Sequence, residues 1–224
     1  MNRSYSETLG GSDRVDTILS TFEQGFDLQD TFNSLLDANS ADAATQALYG
    51  IDQPHSAEFG QQCLVARRMA EQGVSFIQLN HGRGSSQWDH HSKIDQLLPQ
   101  SIAEIDRPIA GLLADLKQRG LFDDTLVVWG GEFGRTPHGR TGRDHQNRGF
   151  TMWMAGGGVK GGIRHGATDP SGGAIEHGAV SINDLHATIL HQLGFDPGKL
   201  SIKSAGREMF SQARYGKVVH DILV

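Results

Sequence analysis

The chain has 224 residues and a formal net charge of −6, with 29 glycines and a single cysteine. Its length suffices for one α/β domain with a sizeable core, and one cysteine excludes an internal disulfide framework or a multi-cysteine zinc site. The negative charge argues against a nucleic-acid-binding protein, and no apolar run reaches the ~18–20 residues of a membrane span or resembles a signal peptide.

Helical spacing of apolar residues dominates the first third of the chain. The pattern predicts a helix over 13–36, a small helix and a connector over 37–58, and a second long helix over about 57–72. That helix ends at Gly73, which suits a C-terminal stop. It carries Cys63, which we expect to be buried.

Two apolar runs separated by a helical pattern predict a βαβ unit in the middle of the chain. Residues 74–80 form the first predicted strand, and 94–119 form the helix, which two prolines are expected to divide or kink. Residues 125–130 form the second strand. Strand, helix and strand in this order predict a parallel pair with a right-handed crossover.

The second half of the chain is rich in glycine and carries three further predicted elements. A third strand is predicted near 151–155. A helix follows over 182–194, capped by Asn183 or Asp184 and stopped by a glycine. A short strand is predicted over 217–219.

Together these elements predict a single α/β domain built on a mainly parallel sheet that helices flank. Its parts are a helical N-terminal segment (1–72), a sheet portion with the candidate site (73–194) and a C-terminal tail (195–224). Ligands of open α/β sheets bind outside the carboxyl ends of the strands, so we expect the chemistry at those strand ends.

Histidines and carboxylates lie next to three of the predicted strands. Asp89 and His91 follow the first strand, Glu132 follows the second, and His145 precedes the third. Asp89 and His91 both face one centre if their loop is extended, and His90 then faces away. Imidazoles and carboxylates that converge from separate loops are typical of transition-metal sites. The alternatives are solvated surface residues, or acid–base chemistry by His145 without a metal.

Arginines flank this candidate site. Arginine binds phosphate or sulfate through bidentate hydrogen bonds, so Arg135 or Arg143 would hold an oxyanion. The alternative is that these arginines compensate the charges of Glu132 and Asp144. The spacing of the residues alone does not decide between the two.

Five motifs occur in order along the chain and carry a resemblance to a known family. They are Gln87-Trp-Asp-His-His91, Asp124-Thr-Leu-Val-Val-Trp-Gly-Gly-Glu-Phe-Gly-Arg-Thr-Pro137, Gly142-Arg-Asp-His145, Ala155-Gly-Gly-Gly-Val-Lys-Gly-Gly162 and Asp184-Leu-His-Ala-Thr-Ile-Leu190. With these motifs, which span nearly the whole chain, the sequence resembles the DUF1501 proteins. That is a bacterial family assigned to the alkaline phosphatase–sulfatase superfamily.

The resemblance implies an alkaline phosphatase-like fold and a site with two metal centres. Asp89, His91 and His145 match the ligands of the first centre in order and setting. Glu132 stands where the second centre usually takes an Asp-His pair, so the histidine of that pair is missing. The implied metal is zinc, or manganese, because sites rich in histidine favour these ions over calcium.

The resemblance also implies that this chain is the C-terminal part of a longer pattern. Early strands of the superfamily supply an aspartate ligand and the nucleophile, whereas no strand is predicted here before residue 74, and we identify no catalytic nucleophile. A sheet without its first strands would expose an edge and apolar surface. This favours a homo-oligomer or pairing with an N-terminal partner chain. Full-length relatives are expected to be exported.

The expected function is therefore metal-dependent hydrolysis of small phosphate or sulfate esters, impaired in this chain because the nucleophile is missing. The alternative is a non-catalytic remnant, or a binding and assembly module, that keeps the fold and one metal. A metal-free serine–histidine hydrolase has no nucleophile-elbow motif to support it.

Overall fold

Contacts divide the chain into two units. The computed structural model describes residues 22–23, 35–82, 88–137, 144–204 and 207–224. The first unit comprises Met1–His81 and Ile102–Leu112, and the second comprises Gly82–Ser101 and Leu113–Val224. Within the part of the chain that the structure describes, no helix combines the length and apolar character needed to cross a membrane.

The first unit begins with short helical elements. A 3₁₀ turn at Ala38–Ser40 precedes helix α1 (Ala43–Leu48), which is capped by the Asp42 carboxylate accepting a hydrogen bond from the Thr45 N–H at 2.7 Å. This confirms the small helix predicted between 37 and 58. Of the helix predicted over 13–36, residues 22–23 and 35–36 are helical, and the remainder lies outside the described residues.

Helix α2 (Ala57–Glu71) confirms the long helix predicted over 57–72. It buries Phe59, Cys63 and Leu64 on one side, as the apolar spacing requires. Cys63 is fully buried, as predicted, and burial raises the pKa of its thiol to about 12. The thiol is therefore a packing group rather than a reactive one.

Helix α3 (Ile94–Gln118) is one continuous element, so the two prolines do not divide it, and the alternative of a kink stays a prediction. It contributes residues 102–112 to the first unit and its two ends to the second. Each proline removes one backbone hydrogen bond. Pro108 is fully buried, and Ile105 and Leu116 are buried along the same helix. Burial of this apolar stripe offsets the lost hydrogen bonds.

The strands of the second unit form two-stranded antiparallel pairs. The pairs are β1 (Val127–Trp129) with β4 (Trp153–Ala155), β2 (Gly134–Arg135) with β3 (His145–Gln146), β5 (Ala167–Thr168) with β6 (Ile175–His177), and β7 (Ser201–Ser204) with β8 (Arg207–Phe210). Val128 lies opposite Met154 in the first pair.

The predicted alkaline phosphatase-like α/β fold with a mainly parallel sheet is wrong. In the described residues, 74–80 form no strand, so the expected βαβ crossover has no first strand. The apolar run at 125–130 does form β1, but it pairs with β4 in the antiparallel sense. Between β1 and β4 the chain forms the β2–β3 hairpin instead of a crossover helix. A hairpin reverses the direction of the chain, so β4 runs antiparallel to β1.

Helix α4 (Ile182–Gln192) confirms the last predicted helix but begins differently. Ser181 is the N-cap: its hydroxyl accepts a hydrogen bond from the Asp184 N–H at 3.1 Å, and the Asp184 carboxylate accepts one from the Ser181 N–H at 2.8 Å. This reciprocal pair is a capping box, so the predicted caps Asn183 and Asp184 lie inside the helix.

The C-terminal tail binds α4 through backbone N–H groups that donate to side chains of the helix. The Lys217 N–H donates to the Asp184 carboxylate at 2.7 Å, and the Val219 N–H donates to the Thr188 hydroxyl at 3.0 Å. The predicted strand over 217–219 is therefore wrong, because these backbone groups bind helix side chains. Short 3₁₀ helices flank the segment at Gln212–Tyr215 and His220–Ile222.

Candidate functional site

Alternate residues of the loop before α3 point to opposite sides. His90 is buried, and its Nε2 lies 3.5 Å from the hydroxyl of the buried Ser101 on α3. Asp89 and His91 face the other way, with a hydrogen bond of 2.9 Å between Asp89 Oδ2 and His91 Nε2. The His91 side chain is 66% exposed. His90 therefore packs against α3, whereas Asp89 and His91 contact each other.

The β2–β3 hairpin supplies the second part of the site. Arg135 lies opposite His145 in the register, and the Thr136 N–H donates to the Asp144 carbonyl at 2.9 Å. The Phe133 ring lies 4.2 Å from the His145 ring and 5.3 Å from the Arg135 guanidinium. The hairpin thus holds a guanidinium and an imidazole beside one aromatic ring.

Gly134 allows this hairpin to pack closely on the chain that follows it. A side chain at this position would place its Cβ 2.9 Å from the Gly149 carbonyl oxygen and 3.0 Å from the Phe150 Cβ. Next to it, Gln146 is buried, and its amide donates to the Gly172 and Gly173 carbonyls at 3.3 and 3.1 Å. Strand β2 thus packs against residues 149–150, and strand β3 is hydrogen-bonded to residues 172–173.

An ion pair joins the loop to the hairpin. Arg135 Nη2 lies 2.7 Å from Asp89 Oδ1, and the two side chains are 20% and 30% exposed. Desolvation pulls the pKa of Asp89 upward, but the His91 hydrogen bond and the charges of Arg135, His91 and His145 outweigh it. They hold the pKa of Asp89 below its ordinary value. We call Asp89, His91 and Arg135 the Asp89 cluster.

The structure brings together some of the predicted ligands and not others. Asp89 and His91 are in contact, and His145 lies close enough to act electrostatically on Asp89. Glu132 lies exposed in the bend after β1. Across the described residues, no three His, Cys, Asp or Glu side chains are grouped so that they could hold a metal ion. Metal ligation by these four residues therefore stays a prediction.

The predicted anion-binding arginines have different outcomes. Arg135 forms an ion pair with Asp89 instead of with Glu132 or Asp144, the partners considered from the sequence. Oxyanion binding by Arg135 stays a prediction. Arg143 lies outside the described residues.

A divalent metal does not fit the Asp89 cluster as it is arranged. Zinc and manganese sites need three or more ligands that converge on one point. Among the described residues no such group of His, Cys, Asp or Glu exists, and Asp89 Oδ2 and His91 Nε2 are hydrogen-bonded to each other at 2.9 Å.

Comparison with known proteins settles the family. Residues 1–223 match the family described as "Protein of unknown function (DUF1501)". The chain belongs to the DUF1501 family. No curated protein and no solved structure matches it. The resemblance that the five motifs carry is thus confirmed at the level of the family.

Two features of this DUF1501 protein were missed from the sequence. One is the Asp89–Arg135 ion pair, which joins two motifs far apart in the chain. The other is the contact of His90 with Ser101, which anchors the loop on α3. Arg135 was singled out, but no spacing rule connects it to Asp89. For Ser101 the only signal is its place on a helix that directly follows the loop.

Proposed function

We propose that this DUF1501 protein is a hydrolase of the phosphatase/sulfatase type that acts on phosphate or sulfate esters and is impaired in this chain. The observation that carries the proposal is the Asp89–Arg135 ion pair, which joins the loop and hairpin motifs into one half-buried charged site. The relation to the alkaline phosphatase–sulfatase superfamily is part of the proposal and is supported by the ordered motifs alone, since the predicted fold is wrong.

The chemical roles follow from the side chains of the Asp89 cluster. A carboxylate hydrogen-bonded to an imidazole orients it for proton transfer, and His91 is exposed enough to meet a substrate from solvent. A guanidinium is suited to an ester's anionic oxygens, so Arg135 would steady the substrate. His145 stands across the hairpin from Arg135 and adds a second imidazole.

The proposed cofactor is zinc or manganese, with Asp89, His91 and His145 as ligands and Glu132 assisting. A metal ion held by these residues would supply Lewis-acid chemistry. Because the cluster as arranged does not fit a metal, we assign no chemical step to it. The catalytic nucleophile is also left unassigned.

Hydrolysis of para-nitrophenyl phosphate and para-nitrophenyl sulfate tests the proposal. We expect Asp89→Asn to lower the rate by roughly a hundredfold, because it removes the charge that orients His91, an effect typical of lost acid–base catalysis. Asp123→Asn is the matched control, since Asp123 is exposed and lies outside the cluster. Equal rates in the wild type and Asp89→Asn would refute the assignment of Asp89.

A non-catalytic binding or assembly module is the second candidate function. It is favoured by the Asp89–Arg135 ion pair, which occupies the guanidinium with a carboxylate of the chain itself instead of a substrate. The half-exposed apolar residues of β1, Val128 and Trp129, favour assembly, with a second copy or an N-terminal partner chain. Absence of turnover on both esters, together with an oligomer in light scattering, would select this function over the hydrolase.

A further inference from the structure

The β2–β3 hairpin that carries Arg135 has two faces. Gly134 lies opposite Gln146 in the register, and Arg135 lies opposite His145. Because successive side chains of a strand point to opposite faces, Gln146 is on one face, and Arg135 and His145 are on the other. Gln146 is buried, whereas His145 is exposed. Burial of Gln146 therefore places Arg135 on the outward face, from which it reaches Asp89.

Gln146 is hydrogen-bonded to the loop that joins β5 and β6. Its amide group donates to the carbonyls of Gly172 and Gly173 at 3.3 and 3.1 Å. Its side-chain oxygen accepts a hydrogen bond from the Arg148 N–H at 3.2 Å. Loss of these partners would be costly, because a buried amide has little access to water as a replacement. Gln146 thus connects β3 to the β5–β6 loop.

The β5–β6 pair and its loop also contact the rest of the hairpin. A Cβ on Gly172 would lie 3.4 Å from Pro137 Cγ, just after β2. A Cβ on Gly149, after β3, would lie 3.1 Å from Ile175 Cγ1 and 3.5 Å from Thr168 Cγ2. These distances place the chain beyond both hairpin strands against β5, β6 and their loop. The β5–β6 pair is therefore the support on which the hairpin rests.

Asp169 fixes the shape of the β5–β6 loop. One carboxylate oxygen accepts hydrogen bonds from the Ser171 hydroxyl at 2.6 Å, the Ser171 N–H at 2.9 Å and the Gly173 N–H at 3.1 Å. The other accepts one from the Ala174 N–H at 2.9 Å. These bonds, led by that of the Ser171 hydroxyl, lower the pKa of Asp169 to about 2. The carboxylate therefore stays charged while ordinary carboxylates titrate, and the loop keeps its shape.

We infer that Gln146 is a positioning residue for the Asp89 cluster: it holds the hairpin so that Arg135 reaches Asp89, and the loop shaped by Asp169 is its anchor. The inference rests on the proposed function for the role of the cluster, in which Arg135 steadies an anionic ester. It adds the group that keeps the guanidinium in place. A change at Gln146 then reaches the substrate only through Arg135.

Titration of Asp89 tests this inference and needs no turnover. Carboxyl carbons of the full chain are followed by NMR between about pH 2 and 6 in the wild type, Gln146→Met and Gln118→Met, with Asp89→Asn to assign the signal. Methionine is as long as glutamine but forms none of these hydrogen bonds. The His91 hydrogen bond lies within the loop and should persist in Gln146→Met. The pKa of Asp89 should therefore rise only part of the way to its ordinary 3.8 as Arg135 shifts.

Two further variants locate the effect. Gln118→Met makes the same replacement at the exposed end of α3 and should leave the pKa of Asp89 unchanged. Asp169→Asn weakens the anchor, because an amide offers one acceptor oxygen where the carboxylate offers two, and should raise the pKa of Asp89 as well. Circular dichroism checks the fold of each variant. Should Gln146→Met fail to fold, Asp169→Asn decides the test.

Four results overturn the inference. The first is an unchanged pKa of Asp89 in either folded variant, Gln146→Met or Asp169→Asn. The second is an equal rise in Gln118→Met. The third is a wild-type Asp89 that titrates at its ordinary value. The fourth is unfolding of both variants, because the contacts would then serve the whole unit instead of the cluster.

The ester assay is read separately from the titration. A rate that depends on Asp89 upholds the proposed hydrolase whatever the titration shows, and the titration decides on Gln146 even if no ester is hydrolysed. With turnover, we expect Gln146→Met to raise KM roughly tenfold with little change in kcat. Such a change fits the weakening of one charge-assisted hydrogen bond to the substrate.

Discussion

The indole rings of Trp129 and Trp153 stack across the β1–β4 pair, with centroids 6.2 Å apart and planes within 8° of parallel. The two residues are direct partners in the register. Each strand has only three residues. This contact therefore provides a large part of the side-chain packing that stabilises the strand pair. Cross-strand aromatic pairs are the unit by which such short strands hold together.

Trp153→Ala should therefore destabilise the second unit. We expect a loss of about 1 kcal/mol from the stacked pair, with a further contribution from the apolar area that becomes exposed. Urea unfolding followed by circular dichroism measures it. The exciton couplet of the two stacked indoles should disappear in this variant and persist in Trp88→Phe, which alters the third tryptophan of the chain. A couplet unchanged by Trp153→Ala would contradict the stacked arrangement.

Asp184 makes stability depend on pH. The Lys217 N–H, and the hydroxyl and N–H of Ser181, all donate to its carboxylate and lower its pKa below the ordinary value of 3.8. A lowered pKa in the folded state contributes stability above the unfolded value. That contribution is lost as the pH falls below 3.8 through the folded pKa.

Asp184→Asn tests this pH dependence. We expect the variant to be less stable than the wild type by about 1 kcal/mol at pH 7, because it weakens charge-assisted hydrogen bonds of the capping box. The difference should shrink as the pH falls below the ordinary aspartate pKa, because the wild type then loses the stability that its charged carboxylate contributes. Urea midpoints across pH 3–7 measure both quantities, and Asp123→Asn provides an exposed carboxylate control. A difference that stays constant with pH would exclude the carboxylate as its source.

Gly111 permits a close approach between α3 and the C-terminal end of α1. A Cβ at this position would lie 2.5 Å from the Leu48 carbonyl oxygen and 3.2 Å from the Tyr49 Cα. Alanine normally stabilises a helix relative to glycine, by about 1 kcal/mol. Here the backbone of residues 48–49 would have to move, so the sign should reverse.

We expect Gly111→Ala to destabilise the protein by about 1–3 kcal/mol, as overpacking of a close contact does. Thermal unfolding measures the change. Gly161→Ala is the matched control, because a Cβ there meets no atom within 4 Å. A melting temperature for Gly111→Ala at or above that of the wild type would contradict the close approach.

Helices were predictable from this sequence because their signals are local. Apolar spacing and a terminal glycine located α2 to within a residue or two, and the same signals located α4. Ser181 was missed as a cap because Asp184 also suits that position, and only the reciprocal bonds separate their roles.

Strand pairing was not predictable, because an apolar run does not say which partner it takes or in which direction. Val127–Trp129 forms a strand where the pattern predicts one, yet its partner comes from the antiparallel return of the chain. The candidate site shows the same limit. Asp89 and His91 share a local spacing that places them together, whereas the pairing with Arg135 depends on how a distant hairpin docks.

The contacts of His90 and His91 depend on the number of residues in the loop before α3. His90 faces Ser101 on α3, and the chain then turns into that helix at Lys93, a non-glycine residue with a positive φ of 51°. One residue inserted between His90 and Lys93 would leave one histidine out of step with its partner. We therefore expect this loop to tolerate substitutions better than insertions, because an insertion changes the spacing between the buried and the exposed imidazole.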